Sequence, residues 1–139
     1  MWIIDDGGRA AAGFRGATGD CVTRAIAIAA EMDYATVYDA LNAVTAPRRL
    51  RGKRGGSART GVPKDVTRAY LDRLGWRWTP TMGIGTGCRV HLCATELPAG
   101  RLIVSVSRHL VAVIDGIMHD THDPSRDGRR CVYGYWQKQ

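Results

Sequence analysis

The chain has 139 residues, a formal net charge of +7 and 45% hydrophobic residues. That length and apolar content suit one folded domain with its own core, and they exclude a disordered or fibrous chain. No apolar run approaches the roughly 20 residues that cross a bilayer. The acidic start Met1-Trp2-Ile3-Ile4-Asp5-Asp6 also lacks the basic flank of a secretory signal, so a cytoplasmic protein with no membrane partner and reduced cysteines is expected.

In chain order, Trp2-Ile3-Ile4 reads as a short strand or extended arm, and a glycine-rich loop follows up to residue 20. Cys21 then opens the apolar stretch Val22-Thr23-Arg24-Ala25-Ile26-Ala27-Ile28-Ala29-Ala30, read as a buried helix over residues 21–32. A helix start presents unbonded N–H groups and the positive end of the peptide dipoles. Both favour a thiolate, which is the nucleophilic form of cysteine, so Cys21 is the candidate nucleophile. A second helix is predicted over residues 35–44. Val37, Tyr38, Leu41 and Val44 recur at helical spacing, Asp33 stands at the cap position, and Pro47 marks the end.

Residues 46–60 read as a flexible basic loop. It holds Arg48, Arg49, Arg51, Lys53, Arg54 and Arg59 with no acid among them. Removing those six from +7 leaves +1, so the charge belongs to this loop rather than to the whole domain. The loop suits an acidic or nucleic-acid partner electrostatically, although it has no aromatic side chain to stack on bases.

A third helix is predicted over residues 64–74, closed by Gly75. Trp76 and Trp78 alternate on a strand and are expected in the core. Residues 82–87 read as loop and 88–93 as a short strand. The rest is β: strands over 102–106 and 109–114, the two-residue hairpin Asp115-Gly116, a return strand over 117–122, a polar turn over 125–130 and a last strand over 131–136. Helices followed by an antiparallel sheet make an α+β pattern. Cys88, Cys93 and Cys131 read as buried thiols. Cys88, His91 and Cys93 match no standard zinc spacing and lack an evident fourth ligand, so no metal or other cofactor is assigned.

The hairpin supplies the partners for Cys21. With Asp115-Gly116 as its loop, Val111 faces Asp120 and His109 faces His122. Side chains alternate along a strand, so His109, Val111, Val113, Met118, Asp120 and His122 share one face. Asp120 lies diagonal to His109, within reach of it. A carboxylate beside an imidazole fixes its tautomer and stabilises the imidazolium. His109 is therefore the favoured base and Asp120 its favoured orienter. His122 is the rival base, and Asp123 is the rival orienter should the register slip by one. A metal site built on His109, His119 and His122 is disfavoured, because His119 faces away.

Gly19-Asp20-Cys21-Val22-Thr23-Arg24-Ala25 and Arg108-His109-Leu110-Val111-Ala112-Val113-Ile114-Asp115-Gly116 resemble the first two catalytic blocks of compact papain-like cysteine peptidases, and His119-Asp120-Thr121-His122-Asp123-Pro124-Ser125 resembles the third. Over nearly its whole length the chain is similar to small proteins of that type carried by bacteria and their phages. The resemblance implies a papain-like α+β fold, with the nucleophile at the start of a central helix packed on a C-terminal antiparallel sheet. It implies Cys21 as nucleophile, His109 as general base and Asp120 as third member. The activity implied is that of a cysteine hydrolase (peptidase, isopeptidase or deamidase) acting on a protein or peptide amide. The pattern departs at the oxyanion hole, where residues 13–18 contain no glutamine. Arg15 and Thr18 are the candidates to replace it, beside the N–H of Cys21. The alternative is an inactive papain-like scaffold that binds nucleic acid or an acidic host factor through the basic loop.

Overall fold

The computed structural model describes residues 1–15, 19–52 and 56–138. The chain forms β1 (Trp2–Ile4), α1 (Cys21–Ala29), α2 (Tyr34–Leu50), α3 (Lys64–Arg73), β2 (Trp76–Pro80), β3 (Arg101–Val106), β4 (His109–Ile114), β5 (Ile117–Asp120) and β6 (Val132–Lys138). The strands build one six-stranded sheet in the order β1-β5-β4-β3-β6-β2, a mixed α+β arrangement. The sheet is neither wholly C-terminal nor wholly antiparallel, as the sequence suggested. β1 pairs parallel with β5 and covers that edge, and β2 joins β6 at the other edge.

α1 is buried from Val22 to Ala29, as an all-round apolar helix must be. It packs with α2 and α3 on one face of the sheet, against Ile103 and Ala112. The alternate residues of the same strands, Leu102, Val104, Val111 and Val113, fill a second cluster on the opposite face together with Leu92 and Leu97. Asp115 and Gly116 both have positive φ, at 49° and 80°, which is the two-residue hairpin geometry. Ile114 pairs with Ile117, Val113 with Met118 and Ala112 with His119, so the expected register holds.

Other expectations need correction. Pro47 does not end the second helix, which continues to Leu50. Pro47 is exposed, so water solvates the carbonyl that loses its partner and the helix tolerates the missing N–H. Residues 46–50 are therefore helix and not flexible loop, while Lys53 and Arg54 lie outside the described residues. Residues 57–61 form a tight, pinned turn. Ser57 and Gly61 pair, the Thr23 hydroxyl donates to the Ala58 carbonyl at 2.7 Å, and the Ala58 N–H donates to Asn42 at 3.0 Å. The small Ala58 is fully buried there, with its backbone groups satisfied by side chains of α1 and α2.

The cysteines also differ from expectation. Residues 88–93 contain no strand, only a bridge between His91 and Cys131. The backbone bonds Leu92 N–H to Arg130 O and Val132 N–H to Val90 O, both 2.8 Å, lay this segment beside the start of β6. That brings the Cα atoms of Cys88 and Cys131 to 5.7 Å, and the two are joined as a disulfide rather than held as reduced thiols. Among the described residues, no helix is long and apolar enough to cross a membrane.

Candidate active site

Cys21 is the first residue of α1, and Asp20 occupies the cap position without making a side-chain cap. Its carboxylate turns inward instead. It pairs with Arg24 one turn along the helix and accepts the Tyr34 hydroxyl at 2.6 Å. The N–H groups of the first turn, which have no intrahelical partner, remain at the helix mouth beside the sulfur. Gly19 is required by proximity: a Cβ there would stand 2.9 Å from the Thr60 carbonyl. Its N–H also donates to Arg59 O at 2.8 Å, so the pinned turn rests against the entry to α1.

His109 begins β4 and Asp120 ends β5, and the hairpin register brings them together. His109 Nε2 lies 2.5 Å from Asp120 Oδ2. That leaves Nδ1 as the ring nitrogen not engaged by Asp120, and Cys21 lines the cleft beside His109 and Leu110. Burial opposes the ionised thiol. The His109 and Leu110 hydrogen bonds, with the positive charges of His109 and Arg24, outweigh it and bring Cys21 below the ordinary value of 9.0. Burial likewise opposes the imidazolium, yet hydrogen bonding to Asp120 and Cys21 and their negative charge raise His109 from 6.5 to about 9. Asp120 is held below 3.8, because His109, the Thr121 N–H and Arg24 outweigh its own burial. Both shifts run toward the thiolate and the imidazolium.

Arg24 ties this trio to the core. Its guanidinium pairs with Asp20 and, at 3.0 Å, with Asp120. Tyr34, Asp20, Arg24, Asp120, His109 and Cys21 thus form one line of polar contacts through α2, α1, β5 and β4. Asp20 and Asp120 are both 1% exposed, so each buried charge is matched rather than stranded. Neither Arg24, Tyr34 nor Leu110 stood out in the sequence. The available signal was the Asp20–Arg24 spacing of four within an otherwise apolar helix.

Cys21 and His109 open into a cleft of about 870 Å³. The pinned turn and α3 form one side, with Thr60, Gly61, Val62 and Thr67, and the β2–β6 end of the sheet forms the other. There Trp78, expected in the core with Trp76, is only half-buried and stacks on Trp136 with ring centroids 4.3 Å apart. The β3–β6 register shifts between Ser105 and Val106. Ser105 pairs with Gly134 and Val106 with Val132, so the unpaired Tyr133 turns into the cleft.

The remaining candidates fall elsewhere. Arg15 is exposed, its carbonyl accepts the Arg59 guanidinium, and it is not among the described residues lining the cleft; Thr18 lies outside the described residues. Arg48 is bound to Asp65 at 2.7 Å and Arg49 to Thr45 at 3.1 Å, whereas Arg51 is exposed. Asp123 caps its own turn by accepting the Ser125 N–H at 2.9 Å, and His119 pairs with Asp5 at 3.4 Å, so neither joins Cys21. His122 stays close, with its ring centroid 5.2 Å from that of His109 and Nδ1 3.9 Å from Asp120.

Ligand atoms of His109, Asp120 and His122 all lie within 4.8 Å of one another, a trio able to meet a metal ion. Asp120, however, already serves His109, Arg24 and the Thr121 N–H. Around the disulfide, His91 and Cys93 each contact Glu96 at 3.1 Å. Comparison with protein-family models, curated proteins and solved structures finds no match for this chain.

Proposed function

We propose that this protein is a cysteine hydrolase of papain-like type, acting on an amide carbonyl of a protein or peptide. The observation that carries this reading is the His109–Asp120 contact at 2.5 Å, with His109 lining the same cleft as Cys21 at the start of a buried helix. Asp120 holds Nε2 and so presents Nδ1 to the sulfur, which is the role a third member performs.

The chemistry follows from those positions. His109 carries the proton taken from Cys21. The thiolate attacks the carbonyl carbon, forming a C–S bond. As the tetrahedral adduct collapses the C–N bond breaks, and His109 gives its proton to the departing amine. The thioester is then attacked by water, whose proton passes to His109. The C–S bond breaks, the acid leaves, and the thiolate–imidazolium pair is restored. The Cys21 N–H is the oxyanion donor this chain supplies from α1. The missing glutamine removes a second donor of a kind worth ~2.7–4 kcal/mol of barrier, and a modest turnover is the expected consequence.

Iodoacetamide labelling across pH, with peptide mapping, tests the reading. Cys21 should be alkylated selectively at pH values well below its ordinary 9.0, and that selectivity should vanish in His109→Ala. Equal labelling of Cys21 and the other free thiol, Cys93, would overturn it.

A further inference from the structure

We propose that the cleft binds an acidic polypeptide segment that carries a large apolar side chain; as a statement about substrate, this rests on the hydrolase reading of the same site. Two cations come from α3. Lys64 and Arg68 stand four residues apart, are exposed, and line the cleft. A third comes from a separate element. Arg108 is exposed in the two-residue turn between β3 and β4, immediately before His109, at a φ of 57° that holds its backbone in the left-handed region.

The carboxylates that line the cleft are Asp20 and Asp65, and both are already matched. Asp20 is buried against Arg24, and Asp65 is held by Arg48. Lys64, Arg68 and Arg108 make no ion pair among the described residues. Three unmatched cations from two elements lining one concavity raise its potential, and low-dielectric walls focus that field. A basic segment would meet like charge from both elements, whereas an acidic one would be steered in.

Between the cations the lining is apolar and aromatic. Trp78 lies against Trp136, and the bulge adds Tyr133. An aromatic lining of this kind, with the two indoles inclined at 51°, takes a ring or a branched aliphatic side chain. A cleft of about 870 Å³ is large enough for a short stretch of chain rather than a single residue. The chemistry selected is therefore carboxylates flanking an apolar anchor.

Recognition can be measured apart from chemistry by fluorescence anisotropy with Cys21→Ala protein. The probe is a short labelled peptide with glutamates on both sides of a phenylalanine, and its counterpart has every glutamate replaced by lysine. The acidic peptide should bind about 10-fold or more tightly than the basic one, and less so as salt rises. Lys64→Glu/Arg68→Glu and, independently, Arg108→Glu should each shrink that preference. The two variants alter exposed positions on different elements, so a folding defect in one leaves the other to decide.

Equal affinity for the two peptides, or a preference untouched by both variants, overturns the proposal. So does displacement of the acidic peptide by a short single-stranded oligonucleotide at lower concentration than by unlabelled acidic peptide, which would assign the cations to phosphates. Iodoacetamide labelling of wild-type Cys21 separates the two readings. A reactive Cys21 without charge preference ends the acidic-segment proposal alone. A charge preference with an inert Cys21 ends the hydrolase reading and leaves an acidic-peptide binding site.

Discussion

On one face of the sheet Ile103 and Ala112 pack beneath three helices. On the other, Leu102, Val104 and Val113, their neighbours on the same strands, pack beneath Leu92 and Leu97 from the irregular segment 81–100. The helical side imports polar structure into the core. It brings a helix start, a buried arginine and a chain of matched carboxylates to the end of β4 and β5. The side closed by loop is aliphatic, and the disulfide Cys88–Cys131 fastens its cover to the start of β6. The candidate nucleophile and the disulfide thus belong to different covers of one sheet. Only where a helix terminus meets the strand ends does burial acquire the directed charges that a nucleophile needs.

The sharpest way to break that division is at Arg24. Arg24→Met keeps much of the side-chain volume but leaves Asp20 and Asp120 buried without their shared cation. Removing one partner of a buried pair costs about 3–5 kcal/mol. Urea unfolding should show a loss of that order, together with slower Cys21 alkylation near neutral pH, because the Arg24 charge that helps hold the thiol low is gone. A loss below about 1 kcal/mol would mean that the network is not a structural element of the helical side.

On the opposite side, the paired substitution Cys88→Ser/Cys131→Ser should lower stability by ~2–4 kcal/mol, since the bond closes a long loop in the unfolded chain. The alkylation rate of Cys21 should not change. A matching fall in Cys21 reactivity would join the two sides that the fold keeps apart.

The helical side was also the legible one. An unbroken apolar run marks α1 and apolar spacing marks α2, and Asp115-Gly116 sets a register from which the meeting of His109 and Asp120 follows. The loop side has no period to read, because Leu92 and Leu97 are core residues held by an irregular backbone. The partnership of Cys88 with Cys131 spans 43 residues and has no local signal. Three features of the site were hidden for related reasons. The Ser107-Arg108 turn carries none of the residues that announce a hairpin, although Arg108 has a φ of 57°. The bulge that turns Tyr133 into the cleft depends on pairing with β3, and Arg24 shows its role only once Asp120 arrives from β5. Pro47 misled because its helix-breaking tendency is weak where the affected face is exposed and close to the helix end.

The finest distinction concerns how Cys21 and His109 share a proton, and stability against pH reads it directly. His109 is raised from 6.5 to about 9 in the folded chain. Its contribution is complete below about 6.5 and is lost as pH rises through about 9. Cys21 is lowered from 9.0, so its contribution is complete above 9.0 and is lost as pH falls through its folded value. Where the two ranges overlap, below pH 9, their slopes oppose and the wild-type curve should be nearly flat. Cys21→Ala removes the rising component and leaves the falling one, because Asp120 still favours the imidazolium. The variant's stability should therefore decline from about pH 6.5 upward, with a slope no steeper than one proton, about 1.4 kcal/mol per pH unit. Parallel curves for wild type and variant in urea titrations would mean that the thiol and the imidazole ionise independently, and the pair would then be two neighbours rather than one acid–base unit.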